Sequence, residues 1–289
     1  AGMSLESQRK WLHLALVPEM DFENFYRLLK TFGLPENIFS QTFSALSSVV
    51  PQSIALSIRG SLSESREQRL TEILKLLDTI PTARLVVPSD EDYPQKFLSI
   101  ARPPLVTLSV GQLALLNRPT VGFVGSSHPS KEGQAIAKSW AQAILNNPVS
   151  LIQGDSEGIE NIALKSAIQK DAQSLVIVTK NILSDPLCEK KLRFASENGL
   201  LLSSLENEDN PWASRQKLMI ACIEHFVVIE AGIRSKVLSL VREAADEGRD
   251  VMAVPGSIHS PLSKGCHKLI REGAKLVESV DDIVVEMRN

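Results

Sequence analysis

From Thr120 onward the chain repeats one pattern. A short run of apolar, β-branched residues is followed by a longer stretch in which apolar positions recur every three or four residues. The runs are TVGFVG from Thr120, SLIQG from Ser150, SLVIVT from Ser174, LLLSS from Leu200, FVVIEA from Phe226 and VMAVPG from Val251. They recur at about 25–30 residues, the length of one strand–helix unit. In the gap at 134–145, Ile136, Trp140, Ile144 and Leu145 stand at helical spacing. Short buried strands alternating with amphipathic helices predict an α/β fold, a Rossmann-like three-layer domain whose parallel sheet is covered on both faces, over 115–289. Ligands of such sheets sit beyond the carboxyl ends of the strands, so those loops are where function is sought.

The first 80 residues have a different, wholly helical rhythm, and 1–80 is predicted to be a small all-helical domain. Asp21 can cap a helix carrying Phe22, Phe25, Leu28, Leu29 and Phe32 on one face, and Gly33 with Pro35 ends it. Further helices are predicted around 35–46, 51–58 and 63–78. Between the two parts, 81–114 is predicted to be a connector with short extended pieces. Pro81, Pro88, Pro94, Pro103 and Pro104 interrupt it, and Pro119 follows.

Composition narrows the class. The 289 residues carry 31 Lys+Arg and 34 Asp+Glu, a formal net charge of -3, which excludes a protein that coats nucleic acid by bulk charge. Residues 1–80 hold 8 basic and 9 acidic side chains against 23 and 25 in the rest, so neither part is a charged tail. With 43% hydrophobic and 22% charged residues, the chain is globular rather than disordered. Cys188, Cys222 and Cys266 have no CxxC spacing and no HxxxH pair accompanies them, so neither a metal nor any other cofactor is expected. The short apolar run Trp11–Val17 after Arg9 and Lys10 is interrupted by His13 and lacks a cleavage pattern. No stretch approaches the roughly 18–20 apolar residues of a membrane helix. A soluble cytoplasmic protein with no membrane partner is expected.

Several strand ends carry candidate chemistry. Gly125-Ser126-Ser127 ends the first regular strand and offers backbone amides to an anion, without forming the GxGxxG dinucleotide fingerprint. Gly154-Asp155-Ser156-Glu157-Gly158 is a literal GxSxG, the elbow of serine hydrolases, with His259 or His267 as the later base. Glu157 argues against that chemistry, because its charge would sit beside the amide that must stabilise an oxyanion. Pro211-Trp212-Ala213-Ser214-Arg215-Gln216-Lys217 sets an aromatic ring beside two cations, as single-strand recognition does, although a half-buried loop tryptophan with two solvated charges fits the same pattern. Arg234, Ser235 and Lys236 follow the FVVIEA strand, and Ser263-Lys264-Gly265 lies past VMAVPG.

Taken in order, these segments resemble the DprA/Smf family of bacterial DNA-processing proteins. VREAADEGRDVMAVPGSIHSPLSKGCHKLIREGAKLVESVDDI resembles the family's alanine helix, Gly-Arg, VPG turn, S-x-G and LI-x-x-GAKLV. FVVIEA matches the strand before it. VGFVGSSHPSKEG resembles VG-S-R-x-x-S-x-x-G, QGDSEGIENIALKSAI resembles SGLARGID-x-x-AH-x-x-AL, and WASRQKL resembles FPxRNRI. DEDYPQKFLSIARPPLVTLSVG resembles the D-x-x-YP lead-in, so the resemblance covers 85–289. It implies an extended Rossmann domain that binds single-stranded DNA in a basic pocket, forms a homodimer and helps load RecA recombinase in natural transformation, with no catalysis.

Carried over residue by residue, the implied single-stranded DNA site is Gly125, Ser126, Gly154, Gly158, Trp212, Arg215, Gln216, Lys217, Arg234, Ser235, Lys236 and Lys264. Leu269, Ile270 and Leu276 are the implied dimer contact, and a core role for all three is the alternative. The chain departs from the family where an arginine becomes Ser127, where Ala-Arg-Gly-Ile-Asp becomes Ser156-Glu157-Gly158-Ile159-Glu160, and where a histidine becomes Leu164. Fewer cations mean weaker binding at physiological salt. Val17-Pro18-Glu19-Met20-Asp21 replaces the glycine-rich helix–hairpin–helix turn of many relatives, so the helical domain (SAM or helix–hairpin–helix-like) is expected to serve packing or partners. The sequence closes at Asn289, and no winged-helix tail is expected. The competing readings are a divergent member acting through protein contacts, and a serine or nucleotide hydrolase on a related fold.

Overall fold

The computed structural model describes residues 2–207 and 209–289. Six helices come first: α1 (Leu5–Ala15), α2 (Phe22–Phe32), α3 (Pro35–Phe39), α4 (Phe43–Ser47), α5 (Gln52–Arg59) and α6 (Glu64–Thr79). Asp21 caps α2 by accepting the Asn24 N–H at 2.9 Å, and Gly33, at φ 88°, closes it. The single helix predicted over 35–46 is two. Ser40 Oγ and Gln41 Nε2 both donate to the Asn37 carbonyl, ending α3, and Thr42 then caps α4 through the Ala45 N–H.

The remainder runs β1 (Ala83–Val86), β2 (Thr107–Gly111), β3 (Thr120–Gly125), α7 (Lys131–Ile144), β4 (Ser150–Gly154), α8 (Ile159–Gln169), β5 (Leu175–Thr179), α9 (Cys188–Asn198), β6 (Leu200–Ser204) and α10 (Pro211–Cys222). It ends with β7 (His225–Ile229), α11 (Lys236–Asp246), β8 (Asp250–Ala253), α12 (Lys264–Arg271), β9 (Lys275–Leu276) and α13 (Val280–Arg288). The strands form one sheet in the order β1-β2-β6-β5-β4-β3-β7-β8-β9. From β6 to β9 every pairing is parallel, while β1 and β2 join antiparallel, so the sheet is mixed. Two extended pieces of the 81–114 stretch are thus strands of the sheet itself.

Alternation along the strands sorts the core into faces. Val176, Val178, Phe226 and Val228 pack with Leu218 of α10, Val241 of α11 and Leu269 of α12. Leu175, Ile177, Val227 and Ile229 pack with Ala141 of α7, Ala163 of α8 and Ile283 of α13. Beyond β5 that second face is covered differently. Leu108 and Val110 of β2 and Leu201 of β6 belong to one continuous core with Leu12, Phe25, Leu28, Leu70 and Ile73 of the N-terminal helices. The helical part is therefore packed on the sheet rather than tethered beside it. Among the described residues no helix is long and apolar enough to cross a membrane.

One irregularity shapes the strand ends. β3 and β4 pair only at Thr120–Ser150 and Val121–Leu151, then separate. The Gln153 side chain fills the gap: its Oε1 accepts the Phe123 N–H at 2.7 Å, and its Nε2 donates to the carbonyls of Phe123 and Glu160. The amide replaces the missing ladder, and the sheet opens toward its carboxyl ends.

Candidate functional site

A cleft of ≈ 1220 Å³ lies at the carboxyl ends of β4 and β5 and reaches between α8 and α9. Its floor is a charged network. Asp155 Oδ2 accepts Thr179 Oγ1 at 3.1 Å and Lys191 Nζ at 3.0 Å, and Lys191 also binds Asp185. Arg215 pairs with Glu160 and has Asp155 Oδ1 3.8 Å from its Nε. Burial pushes the Glu160 carboxyl up, and the Arg215 charge opposes that rise. Burial lowers the Lys191 ammonium, but its two aspartates more than offset this and hold it above the usual lysine value.

Trp212 stands over this floor, 40% exposed, with the Arg215 guanidinium 4.7 Å and the Lys180 ammonium 5.6 Å from its ring centre. Each contact is a cation–π stack that fixes the ring. Around the cleft Lys165, Lys180, Lys190 and Arg193 are exposed, and among the described residues no carboxylate pairs with any of them. Glu157 and Glu197 are the exposed anions of the same lining.

The structure redistributes the residues read from sequence. Trp212 and Arg215 share a face of α10 and both reach the cleft. Gln216 and Lys217 do not, because successive residues of a helix turn by about 100°. Gln216 Nε2 donates to Glu243 of α11 at 2.9 Å. Lys217 points to the helical part, its Nζ 4.7 Å from the centre of the Phe22 ring and 3.9 Å from Glu206. The two cations of the 211–217 motif therefore face different surroundings, because the motif is the start of a helix. Arg215, moreover, is 2% exposed, so its charge serves the protein interior.

Gly125 and Gly154 are buried and packed by protein atoms. A Cβ on Gly154 would overlap Glu160 and Arg215, and one on Gly125 would overlap the Ile229 and Glu230 carbonyls. Gly158, at φ 87°, lets its backbone touch Ser126 and Ser127, where a side chain would collide. Ser126 is bonded on both sides: its N–H donates to the Glu230 carbonyl and its carbonyl accepts the Ile159 N–H. At the start of α7 the Ser130 N–H and Oγ both donate to the Glu230 carboxylate, and that Oγ accepts the Gly133 N–H. The chain's own glutamate thus sits beside the turn expected to hold an anion.

Arg234, Lys236 and Lys264 are exposed beyond β7 and β8, outside the cleft lining, and Ser235 caps α11 through the Val237 N–H. Leu269 is 4% exposed and Ile270 packs against the same core, which leaves Leu269 no surface for a second subunit. Leu276, on the edge strand β9, is 47% exposed. For the GxSxG reading, β3 and β7 separate β4 from β8, so about three strand spacings, roughly 14 Å, divide Ser156 from the histidine-bearing segment. His267 Nε2 instead accepts the Gly256 N–H at 3.1 Å.

Lys180, Lys165, Lys190 and Arg193 went unread in the sequence. Lys180 directly follows a strand, so its position alone could have marked it. Lys190 and Arg193 lie in a basic stretch of α9 that reads as an ordinary solvated helix face.

Residues 84–288 match the family model of DNA recombination-mediator protein A. The chain is 34% identical over 205 residues to the DNA processing protein DprA of Streptococcus pneumoniae, covering 68% of this chain and 72% of that one. It is similar in fold to the X-ray structure of DNA processing protein A from Streptococcus pneumoniae, with TM-score 0.75, 23% identity and 99% of each chain covered. A structure concerned with the single-stranded DNA binding mode of DNA processing protein A from Helicobacter pylori matches with TM-score 0.60 and 20% identity, over 72% of this chain and 96% of that one.

Proposed function

The chain belongs to the family of DNA recombination-mediator protein A, and from that premise we propose that it binds single-stranded DNA of DprA/Smf type in the cleft beyond β4 and β5. The observation that carries this reading is Trp212, an exposed ring held by Arg215 and Lys180 at the rim of the cleft, where among the described residues no carboxylate pairs with Lys180. An aromatic face accepts any base, and free ammonium groups accept phosphate, which is the chemistry of sequence-tolerant single-strand binding. The Helicobacter pylori relative, described by its single-stranded DNA binding mode, supports the same substrate class. By family membership the protein would protect incoming DNA and help load RecA recombinase during natural transformation and recombination, as a homodimer in the cytoplasm and without catalysis.

Binding is expected to be modest. Arg215 and Lys217 are engaged inside the protein, and Glu157 places a negative charge in the lining. That observation also favours the second reading, a divergent member acting mainly through protein contacts. A salt series of oligo-dT binding separates the two. Salt-sensitive binding that weakens in Trp212→Ala, and whose log–log salt slope drops by about 0.7 in Lys180→Ala, is expected. Absence of binding at low salt would leave only the second reading.

A further inference from the structure

The cleft is longer than a pocket at strand ends needs to be. α8 lies over β3, β4 and β5, and α9 over β2, β5 and β6, on the same side of the sheet. The space between them is a groove above β5. From α8 it is lined by Asn161, Leu164, Lys165, Ile168 and Gln169, positions that share one helix face along the whole element. From α9 and the residue before it come Leu187, Lys190, Phe194 and Asn198, again a single face. Asn198 lies eleven positions beyond Leu187, so the groove runs about 16 Å away from Trp212 toward the amino ends of the strands.

The chemistry is uniform along that length. Leu164, Ile168 and Phe194 are buried or half-buried and form an apolar floor, with Leu187, 50% exposed, at its mouth. Cations stand on both banks, Lys165 on α8 and Lys190 with Arg193 on α9, against the single carboxylate Glu197 on these helix faces. Lys191 lies between Asp155 and Asp185 and offsets one of their two charges, so one negative charge remains at the strand-end floor and none of it on the two helix faces.

We propose that this α8–α9 groove is the path of the DNA strand leaving the strand-end cleft, with bases against the Leu164–Ile168–Phe194 floor and phosphates on Lys165, Lys190 and Arg193. The inference rests on the single-stranded DNA reading above and adds a direction and a length to it. One exposed cation on the α8 bank and two on the α9 bank, either side of an apolar floor, complement a strand whose charge lies outside and whose bases lie inside. The groove is also continuous with the site that holds Trp212. At 3.4 Å per nucleotide of a stacked strand, 16 Å houses about five nucleotides beyond those at the strand ends.

The test uses the full chain and a ladder of labelled oligo-dT from about 4 to about 16 nucleotides. In the parent, affinity should rise with length until the groove is filled and then level off. In the combined variant Lys165→Ala, Lys190→Ala, Arg193→Ala, the shortest oligonucleotide should bind as before. The longer ones should lose their advantage, with a salt slope smaller by about 2. All three residues are exposed, so the variant's melting temperature should match the parent's. As a second measurement, a 4-thiothymidine strand bound to the parent should cross-link on irradiation to the peptide carrying Leu187 and Phe194. A parent that binds, with a triple variant that keeps both length gain and slope, or cross-links confined to other segments, overturns the groove and leaves the strand-end site standing. A parent that binds no length overturns both.

Discussion

At the scale of single residues, the lesson is how far a charge can be diverted by a partner elsewhere in the chain. Arg215 reads as a phosphate ligand, because it follows an aromatic residue and precedes a second basic one. Glu160, which is 55 positions away, takes it into the interior. Nothing local marks that pairing, since it exists only when α8 and α10 meet across the end of β4. The pair makes a prediction opposite to that of a surface contact. Removing one member of a buried ion pair typically costs about 3–5 kcal/mol, because the other charge is left desolvated. Arg215→Ala should therefore lower the urea midpoint strongly, and Arg215→Leu combined with Glu160→Leu should recover most of the loss. A phosphate-binding arginine at the surface would show an unchanged midpoint with weakened DNA binding.

At the scale of elements, the six runs read from the hydrophobic pattern are the strands β3 to β8, and their helices fall where the amphipathic stretches lie. What escaped was short or shared. β1 has four residues and β2 is embedded among prolines, so neither shows a repeat, and β9 has only two residues. Their strand character is conferred by the partner strand rather than by their own pattern. Gln153 is the other illegible feature: a polar residue in a buried run reads as an ordinary strand end, whereas it bridges two strands that have parted. Gln153→Leu keeps the bulk but leaves the Phe123 N–H and C=O without partners. A loss of about 3 kcal/mol is expected in chemical unfolding. With this bridge gone the opening of the sheet is unsupported, so the variant should also bind oligo-dT more weakly under conditions where it remains folded.

At the scale of the whole molecule, the two rhythms of the sequence suggest two independent parts, yet the core ignores that division. Leu85, Leu108, Leu201 and Leu205 pack with Leu12, Leu28 and Leu70 in one cluster. Trp11 is buried in that shared cluster and Trp212 stands at the strand-end cleft. Two variants that each retain only one of these two tryptophans, with Trp140 replaced in both, should therefore report the same unfolding midpoint, coincident with the loss of helical circular dichroism. Separate midpoints would mean that the two parts unfold independently. The shared core also has a consequence for synthesis, since the ribosome delivers the chain from its amino end. The helical residues up to about 80 emerge long before Leu205, which completes their packing. At about 5–20 residues per second, the roughly 120 intervening residues take about 6–25 s, during which a nascent apolar face waits for its lid. The N-terminal helices are thus the part of this protein that most needs a holding chaperone, because they are made before the strands that cover them.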